Sequence, residues 1–258
     1  MSFPDQLSLS GCVFVIAGAT GGIGKSLSIL LHSLDASLVL LDLSEGSLDS
    51  LSVQLQNTHP RSPKPHTFAA DITSESQLSN LTSWFSKTFD HINGLINCVG
   101  ILRLGDSLKC VSETSLDEWE TIININLTGT FLLNRAFIPL MQSQRFGDII
   151  NISSVSGKQG RAFDGPYCAS KFGIIGLTES IAAEVASSGV RVQCLLPDAV
   201  DTGIWLQNGS SSIQPPLMMS PENVSKFLLY MLTLPSDIFL SNPTISPMKL
   251  PKRRRRSR

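Results

Sequence analysis

The stretch Val13-Phe-Val-Ile-Ala17-Gly18-Ala-Thr-Gly-Gly-Ile-Gly24 decides the fold of this chain. Its first five residues are a short apolar run, which is typical of a strand buried on both faces. The glycines that follow let the backbone turn sharply and bring its amides close to a phosphate at the positive N-terminus of a helix. A plain strand–turn–helix corner has the same pattern, so this stretch alone does not establish a nucleotide site.

The same alternation of apolar run and amphipathic segment continues along the chain, and it predicts a parallel sheet with right-handed crossovers. We therefore expect residues 1–251 to form a single doubly wound Rossmann-type α/β domain, with helices on both faces of the sheet. The predicted strands are Val13–Ala17, Ser37–Leu41, Thr67–Ala70, Gly94–Cys98, Asp148–Ile152 and Val190–Leu196, and the predicted helices are about 22–33, 44–57, 74–90, 115–144, 166–188 and 220–234.

Composition excludes several classes of protein. Of the 258 residues, 42% are hydrophobic and 16% charged, which excludes a disordered or collagen-like chain. The five cysteines are scattered without a CxxC motif, which argues against a disulfide framework and a structural zinc site, so we predict no metal. The apolar runs are too short for a bilayer and the N-terminus lacks a signal-peptide pattern. A cytoplasmic protein without a transmembrane segment is expected.

Two segments stand apart from the predicted domain. Residues 252–258 carry six positive charges, which leaves −7 on residues 1–251, because the whole chain has a net charge of −1. This tail is interpreted as a solvated, disordered terminus; nuclear targeting, or binding to nucleic acid or an anionic surface, remains the alternative. Residues 203–220 form a long irregular insert, which predicts a lid.

A carboxylate ends the second predicted strand, 18 residues after Gly24. Asp42 at that position would accept hydrogen bonds from an adenosine ribose and would repel a 2′-phosphate. A helix N-cap is the other interpretation, although Ser44 is available for that role. No arginine or lysine lies at 19–23 or 43–45, and Lys25, inside the helix, is a weaker candidate for binding a phosphate. We therefore predict NAD rather than NADP.

Tyr167 and Lys171 lie four residues apart in a predicted helix, which places both side chains on one face. A solvated tyrosine–lysine pair would have the same spacing. Ser154 comes 13 residues earlier, just after the strand Asp148–Ile152, at the edge of the sheet where open α/β folds bind ligands. The three residues together predict a catalytic site.

The predicted chemistry needs these three residue types together. A free tyrosine has a pKa of about 10 and is a poor base near neutral pH. An adjacent ammonium, helped by the positive charge of an oxidised nicotinamide, favours the phenolate, so we expect Lys171 and the cofactor together to lower the pKa of Tyr167. The Ser154 hydroxyl would bond the substrate oxygen, and hydride transfer with a nicotinamide would interconvert an alcohol and a carbonyl without a metal.

With these motifs the chain resembles the short-chain dehydrogenase/reductase family, over a span from Gly18 to Thr202. The resemblance implies an NAD-dependent oxidoreductase acting on a secondary alcohol or ketone, and a homodimer or homotetramer formed through helices 115–144 and 166–188.

The resemblance also implies roles for the matching residues. Asn126, Ser154, Tyr167 and Lys171 would be catalytic, with Asn126 holding a water that links Lys171 to solvent or repairing a helix kink; Gly18, Thr20, Gly22, Ile23 and Gly24 would line the pyrophosphate; Asp42 would hold the ribose; Asp71 and Ile72 would flank the adenine; Asn97 and Gly100 would support the inner side of the cofactor; Tyr167 and Lys171 would meet the nicotinamide ribose; and Val200 and Thr202 would contact the carboxamide.

The sequence also departs from the family pattern. Cys98 replaces an asparagine, and Asp198 replaces the glycine that usually follows Pro197. Asp198 either stiffens a turn or disfavours anionic substrates, and both interpretations stay open. The glycine-rich C-terminal ending of the family is missing, which puts the usual C-terminal subunit contacts in doubt.

The expected substrate is medium-sized and largely apolar. The rival function is a catalytically silent dinucleotide-binding regulatory or scaffold protein that acts through the basic tail. A nucleotide-sugar epimerase is a poorer alternative, because only 87 residues follow Lys171. The residues expected to line the substrate pocket are Gln159, Arg161, Phe163, Ile204, Trp205, Leu206, Leu217, Met218 and Met219.

Overall fold

A computed structural model describes residues 7–105, 107–211 and 215–248, and a parallel sheet of seven strands forms their centre. The strand order is β3-β2-β1-β4-β5-β6-β7, so the chain reverses direction across the sheet between β1 and β4. This confirms the predicted doubly wound α/β fold. The strands are β1 (Val13–Ala17), β2 (Ser37–Asp42), β3 (His66–Ala69), β4 (Gly94–Asn97), β5 (Gly147–Ile152), β6 (Val190–Pro197) and β7 (Thr244–Ile245).

Helices connect the strands, and serine side chains begin several of them. Ser44, Ser74, Ser115 and Ser220 each accept a hydrogen bond from a backbone amide three residues on, which satisfies a donor that the helix leaves unpaired. The helices are α1 (Gly22–His32), α2 (Glu45–Thr58), α3 (Glu75–Thr88), α4 (Leu116–Ile123), α5 (Gly129–Gln144), α6 (Gly165–Val185) and α7 (Pro221–Leu232).

The central strand β1 shows why the apolar runs predict this fold. All five of its residues are buried. Phe14 and Ile16 pack into the core layer that contains side chains of α1 and α7, whereas Val13 and Val15 pack into the layer of α3, α5 and α6. Because successive strand residues point to opposite faces, a strand covered on both sides must be apolar throughout.

Two local features differ from the sequence prediction. The helix predicted over 115–144 is interrupted by a π-helical turn at Asn124–Thr128. The Thr130 hydroxyl donates to the Asn126 carbonyl at 2.6 Å, so a side chain interrupts the regular backbone ladder there. The seventh strand was not predicted. β7 pairs with Leu196 and Pro197 of β6, but it has only two residues and is too short to produce a periodic signal.

The lid prediction is corrected in part. Residues 203–211 form a 3-10 helix instead of an irregular segment, and Val200 pairs with Met219 in a short parallel bridge. Residues 212–214 of the predicted lid and the basic tail 252–258 lie outside the described residues. Within the described ranges, no helix is long and apolar enough to cross a membrane, and no group of three or more His, Cys, Asp or Glu side chains is arranged to hold a metal ion.

Candidate active site

The glycine turn between β1 and α1 forms a cradle that leaves no room for side chains. Gly18 has a φ of +72°, and a Cβ there would lie 2.9 Å from the carbonyl carbon of Cys98. A Cβ on Gly24 would overlap the Gly18 carbonyl oxygen, and one on Gly22 would lie 2.7 Å from Thr202 Cβ. No side chain caps the first turn of α1. These features fit a pyrophosphate bound at the N-terminus of the helix.

Asp42 lies at the carboxyl end of β2, beside this turn. Its Oδ2 accepts hydrogen bonds from the Thr20 amide at 2.9 Å and the Thr20 hydroxyl at 2.7 Å, and its Oδ1 accepts from the Leu43 amide at 2.8 Å. Thr20, expected to line the pyrophosphate, thus directs its side chain to the carboxylate. Because Ser44 caps α2, Asp42 is not the N-cap residue. Asp42 lines a groove, and the other residues of its walls include Gly18, Asp71, Ile72 and Gly100.

Asp71 and Ile72 follow β3 at the far wall of that groove. The Asp71 Oδ1 accepts from both the amide and the hydroxyl of Thr73 at 2.8 Å, which fixes the turn before α3. Ile72 is buried, and a Cβ on Gly129 would lie 2.7 Å from Ile72 Cδ1. The close approach of α5 therefore holds Ile72 at the groove.

The Asn126 side chain is fully buried within the π turn and joins three segments. Its Nδ2 donates to the Ile101 carbonyl at 2.9 Å and to Ser170 Oγ at 3.0 Å, and its Oδ1 accepts from the Ile101 amide at 2.8 Å. Asn97, at the end of β4, donates to Thr130 Oγ1 at 2.9 Å. This network attaches the loop after β4 to α6. In the interrupted helix itself, the Thr130 hydroxyl bonds the Asn126 carbonyl, whereas the hydrogen bonds of the Asn126 side chain go to Ile101 and Ser170.

Ser154, Tyr167 and Lys171 line one pocket at the carboxyl edge of the sheet, together with Ile23, Val200 and Thr202. The Lys171 Nζ lies 5.6 Å from the centre of the Tyr167 ring and donates to the Ile152 carbonyl at 3.0 Å. Gly100 adjoins this ammonium, since a Cβ there would lie 3.2 Å from Nζ. The predicted catalytic triad is therefore assembled in space.

Burial controls the protonation of both titratable groups of this triad. It raises the pKa of Tyr167 to about 12, and the nearby Ser154 hydroxyl and the Arg161 charge only partly oppose this effect. It also lowers the pKa of Lys171 to about 8. Desolvation of the phenolate is the largest cause of the raised pKa of Tyr167, and Lys171 is not among the groups that lower this pKa.

The substrate pocket keeps only part of the expected lining. Arg161, Ile204 and Trp205 line it, and the Trp205 indole donates to the Val200 carbonyl at 2.7 Å. The other six expected residues do not line this pocket. Met219 packs against the core, and Met218 does not line the pocket. Exposed to solvent outside the pocket are Gln159, Phe163, Leu206 and Leu217.

Sequence reasoning missed several residues that line this pocket. Leu102 comes from the loop after β4, and its amide donates to Gln207 Oε1 at 2.7 Å, which ties that loop to the 3-10 helix. Asp164 precedes Tyr167 by one helical turn, a spacing that could have identified it. Further missed residues flank ones that were predicted; they include Ser153, Val155, Ser156 and Ala199.

The two cavities adjoin each other. The groove beside Asp42 and the pocket around Tyr167 share the wall Cys98–Gly100, in the loop after β4. This loop lies where the strand order reverses, the position at which open α/β sheets bind their ligands. The site therefore has the elongated form that a dinucleotide and a small substrate require.

Comparisons with known proteins agree with this arrangement. The family model described as short chain dehydrogenase matches residues 12–211. The short-chain dehydrogenase/reductase aba4 of Botryotinia fuckeliana (strain B05.10) is 32% identical over 230 residues, covering 83% of this chain and 85% of that protein. An uncharacterized oxidoreductase of Staphylococcus aureus (strain MW2) is 28% identical over 240 residues, covering 93% of this chain and 99% of its own.

Solved structures share the fold at lower identity. Levodione reductase superimposes with a TM-score of 0.81 at 24% identity, covering 93% of this chain and 96% of its own. A 3-oxoacyl-[acyl-carrier protein] reductase from Brucella melitensis, solved with bound NAD, has a TM-score of 0.81 at 24% identity, covering 95% and 97%. The family model spans most of the chain, and the curated relatives are matched over most of their length. The chain therefore belongs to the short-chain dehydrogenase/reductase family of oxidoreductases, whose members bind a nicotinamide dinucleotide.

Proposed function

We propose that this protein is an NAD-dependent oxidoreductase that interconverts a secondary alcohol and a ketone. One observation carries the proposal: Ser154, Tyr167 and Lys171 line a pocket that shares the wall Cys98–Gly100 with the groove beside Asp42. A hydroxyl, a phenol and an ammonium at one end of a dinucleotide-sized site form the set needed to exchange a proton and bind a carbonyl oxygen.

Ser154 and Tyr167 have separate roles in the proposed reaction. The Ser154 hydroxyl donates a hydrogen bond to the substrate oxygen and orients it towards the Tyr167 phenol. Tyr167 gives its proton to the oxygen during ketone reduction and accepts it during alcohol oxidation. Bound in the groove, the nicotinamide dinucleotide supplies or accepts the hydride.

Lys171 and Asn126 support this proton transfer. The buried Lys171 ammonium favours the phenolate of Tyr167 when oxidation needs it, and positions a ribose hydroxyl. Asn126 holds the loop that carries Gly100 and Ile101 against α6 through its bonds to Ile101 and Ser170. A water-mediated proton path from Lys171 past Asn126 to solvent remains part of the proposal.

Asp42 supports a preference for NAD over NADP. Its carboxylate lies at the end of β2 in the adenosine half of the groove, where a 2′-phosphate would meet a negative charge. The cation nearest to a rival site is Lys25, which lines a separate depression with Thr20 and Ser47 on the other side of the turn. The preference therefore rests on repulsion by Asp42.

The test is a fluorescence titration of the purified protein with NADH and NADPH, followed by turnover with a panel of ketones and secondary alcohols. We expect tighter binding of NADH and turnover of largely apolar substrates. In an Asp42→Ala variant the preference for NADH should fall, and in the matched Lys25→Ala variant it should persist. Preferential binding of NADPH by the wild type would contradict the assignment of Asp42, and absence of turnover across the panel would contradict the reaction.

A further inference from the structure

Two aspartate–arginine pairs lie beside the substrate pocket, and the outer one bridges its mouth. The Arg161 guanidinium donates from Nη2 to Asp198 Oδ1 at 2.9 Å. Both residues line the same pocket as Ser154 and Tyr167. The side chain of Arg161 is 42% exposed and that of Asp198 is 29% exposed, so a molecule entering from solvent meets this pair first.

We propose that the Arg161–Asp198 pair makes the enzyme discriminate against anionic substrates, because Asp198 occupies the guanidinium that would otherwise bind one. This inference rests on the proposed function, since it takes the pocket around Tyr167 as the substrate site. Between the two interpretations of Asp198, it favours discrimination against anionic substrates, because the carboxylate is paired with a cation of the same pocket.

Backbone contacts hold both members of the pair in place. The Asp198 amide donates to the Ile245 carbonyl at 2.9 Å, so the short strand β7 positions this residue. The Arg161 amide donates to Cys168 Sγ at 3.3 Å, which ties the loop before α6 to the helix itself. These bonds fix the backbone from which both side chains extend, and an anion that binds the guanidinium must displace the Asp198 carboxylate.

The second arginine at the pocket offers no replacement anchor. Arg103 is buried and paired with Asp164, which lines the pocket one turn before Tyr167. The Lys171 ammonium is also buried and donates to the Ile152 carbonyl. Among the described residues the remaining wall is largely apolar, with Leu102, Val155, Ile204 and Trp205 contributing to it. The Arg103 Nε and Nη1 have no hydrogen-bond partner in the described part of the chain, but Arg103 is buried and does not line the pocket, so a carboxylate bound there would lose its hydration without reaching this guanidinium.

The decisive variant is Asp198→Asn, which keeps the shape of the side chain and removes its charge. The probes are keto esters and the keto acids with the same carbon skeleton, over several chain lengths. We expect the ratio of kcat/KM for acid over ester to rise about tenfold in the variant, since a freed guanidinium then bonds the carboxylate. Adding Arg161→Gln to Asp198→Asn should remove this gain.

A matched control is Asp237→Asn, an identical charge change at an exposed residue beside the amino end of β6, at the opposite edge of the sheet. It should leave the ratio unchanged. Exposed ion pairs contribute little to folding, so all of these variants should remain folded. An equal gain in the control would mean a long-range effect of net charge and would overturn the proposal.

Binding measurements separate this inference from the proposed reaction. Dissociation constants for the same esters and acids are measured in the presence of NADH in Tyr167→Phe and in Tyr167→Phe/Asp198→Asn. Tighter binding of acids to the second variant, even without turnover by the wild type, supports charge selection while counting against the proposed reaction. Failure of Asp198→Asn to improve either turnover or binding of acids overturns the inference, whatever the activity towards esters.

Discussion

At the scale of single residues, burial of the Lys171 ammonium destabilises the folded protein. Its side chain is 3% exposed, and burial lowers its pKa from 10.5 to about 8. Below pH 8 the lysine is charged in both the folded and the unfolded protein, so the folded state bears the full penalty of desolvating the ammonium. Between pH 8 and 10.5 the penalty shrinks, because only the unfolded state keeps the proton.

Replacement of Lys171 by methionine should therefore stabilise the fold while removing a functional group. We expect the free energy of unfolding to rise by about 2–3 kcal/mol at pH 7, and the gain to disappear as the pH approaches 10.5. Urea denaturation at pH 7 and pH 10 measures this difference. Lys87→Met, at an exposed position on α3, is the control and should show no such pH dependence. A destabilised Lys171→Met protein at pH 7 would contradict this account of the buried charge.

At the scale of elements, the turn between β1 and α1 depends on the absence of side chains. A Cβ on Gly24 would overlap the Gly18 carbonyl oxygen and lie 3.0 Å from Ala19 Cα, and these are backbone atoms that cannot rotate away. By contrast, a Cβ on Gly46, in the first turn of α2, meets no atom within 4 Å. The two glycines therefore form a matched pair.

We expect Gly24→Ala to destabilise the protein by about 1–3 kcal/mol, because the strain of overpacking must shift the turn. The shift should also weaken NADH binding at least tenfold, since the displaced amides belong to the proposed pyrophosphate cradle. Gly46→Ala should be neutral or slightly stabilising. Thermal unfolding and NADH titration of both variants test this. Equal behaviour of the two variants would mean that the cradle is not required.

Sequence patterns predicted most elements because burial on both faces makes each central strand an apolar run. The same reasoning located Asp42 and Ser154, since each lies at or just beyond the carboxyl end of a strand. Tyr167 was located instead by its spacing of four residues from Lys171. It could not locate β7, because two residues carry no periodicity. Leu102 was missed because its position depends on a hydrogen bond to Gln207, about a hundred residues further along the chain.

At the scale of the whole molecule, large apolar side chains remain exposed on the helices predicted to form a subunit interface. Phe131 on α5 is 41% exposed and Phe172 on α6 is 47% exposed. Trp119 and Leu116 on α4 are also exposed. Exposed aromatic residues on adjoining helices are typical of a surface that pairs with another copy of the chain.

We therefore predict a homodimer or homotetramer that forms through α5 and α6. Phe131→Glu/Phe172→Glu should shift the molar mass measured by light scattering after size-exclusion chromatography to that of the monomer, because two charges would be buried at the interface. Phe146→Glu is the control, since Phe146 is equally exposed, at 42%, but precedes β5 at the other edge of the sheet. A monomeric wild-type protein at micromolar concentration would contradict this prediction.

The central claim is that Tyr167 exchanges the proton that accompanies hydride transfer. The most direct test compares wild-type protein with Tyr167→Phe, measuring NADH affinity by fluorescence and NADH oxidation with the best ketone of the panel by absorbance. The account predicts unchanged NADH affinity and a loss of at least about 100-fold in kcat/KM, the contribution typical of general acid–base catalysis. Full turnover by Tyr167→Phe with normal NADH binding would contradict it.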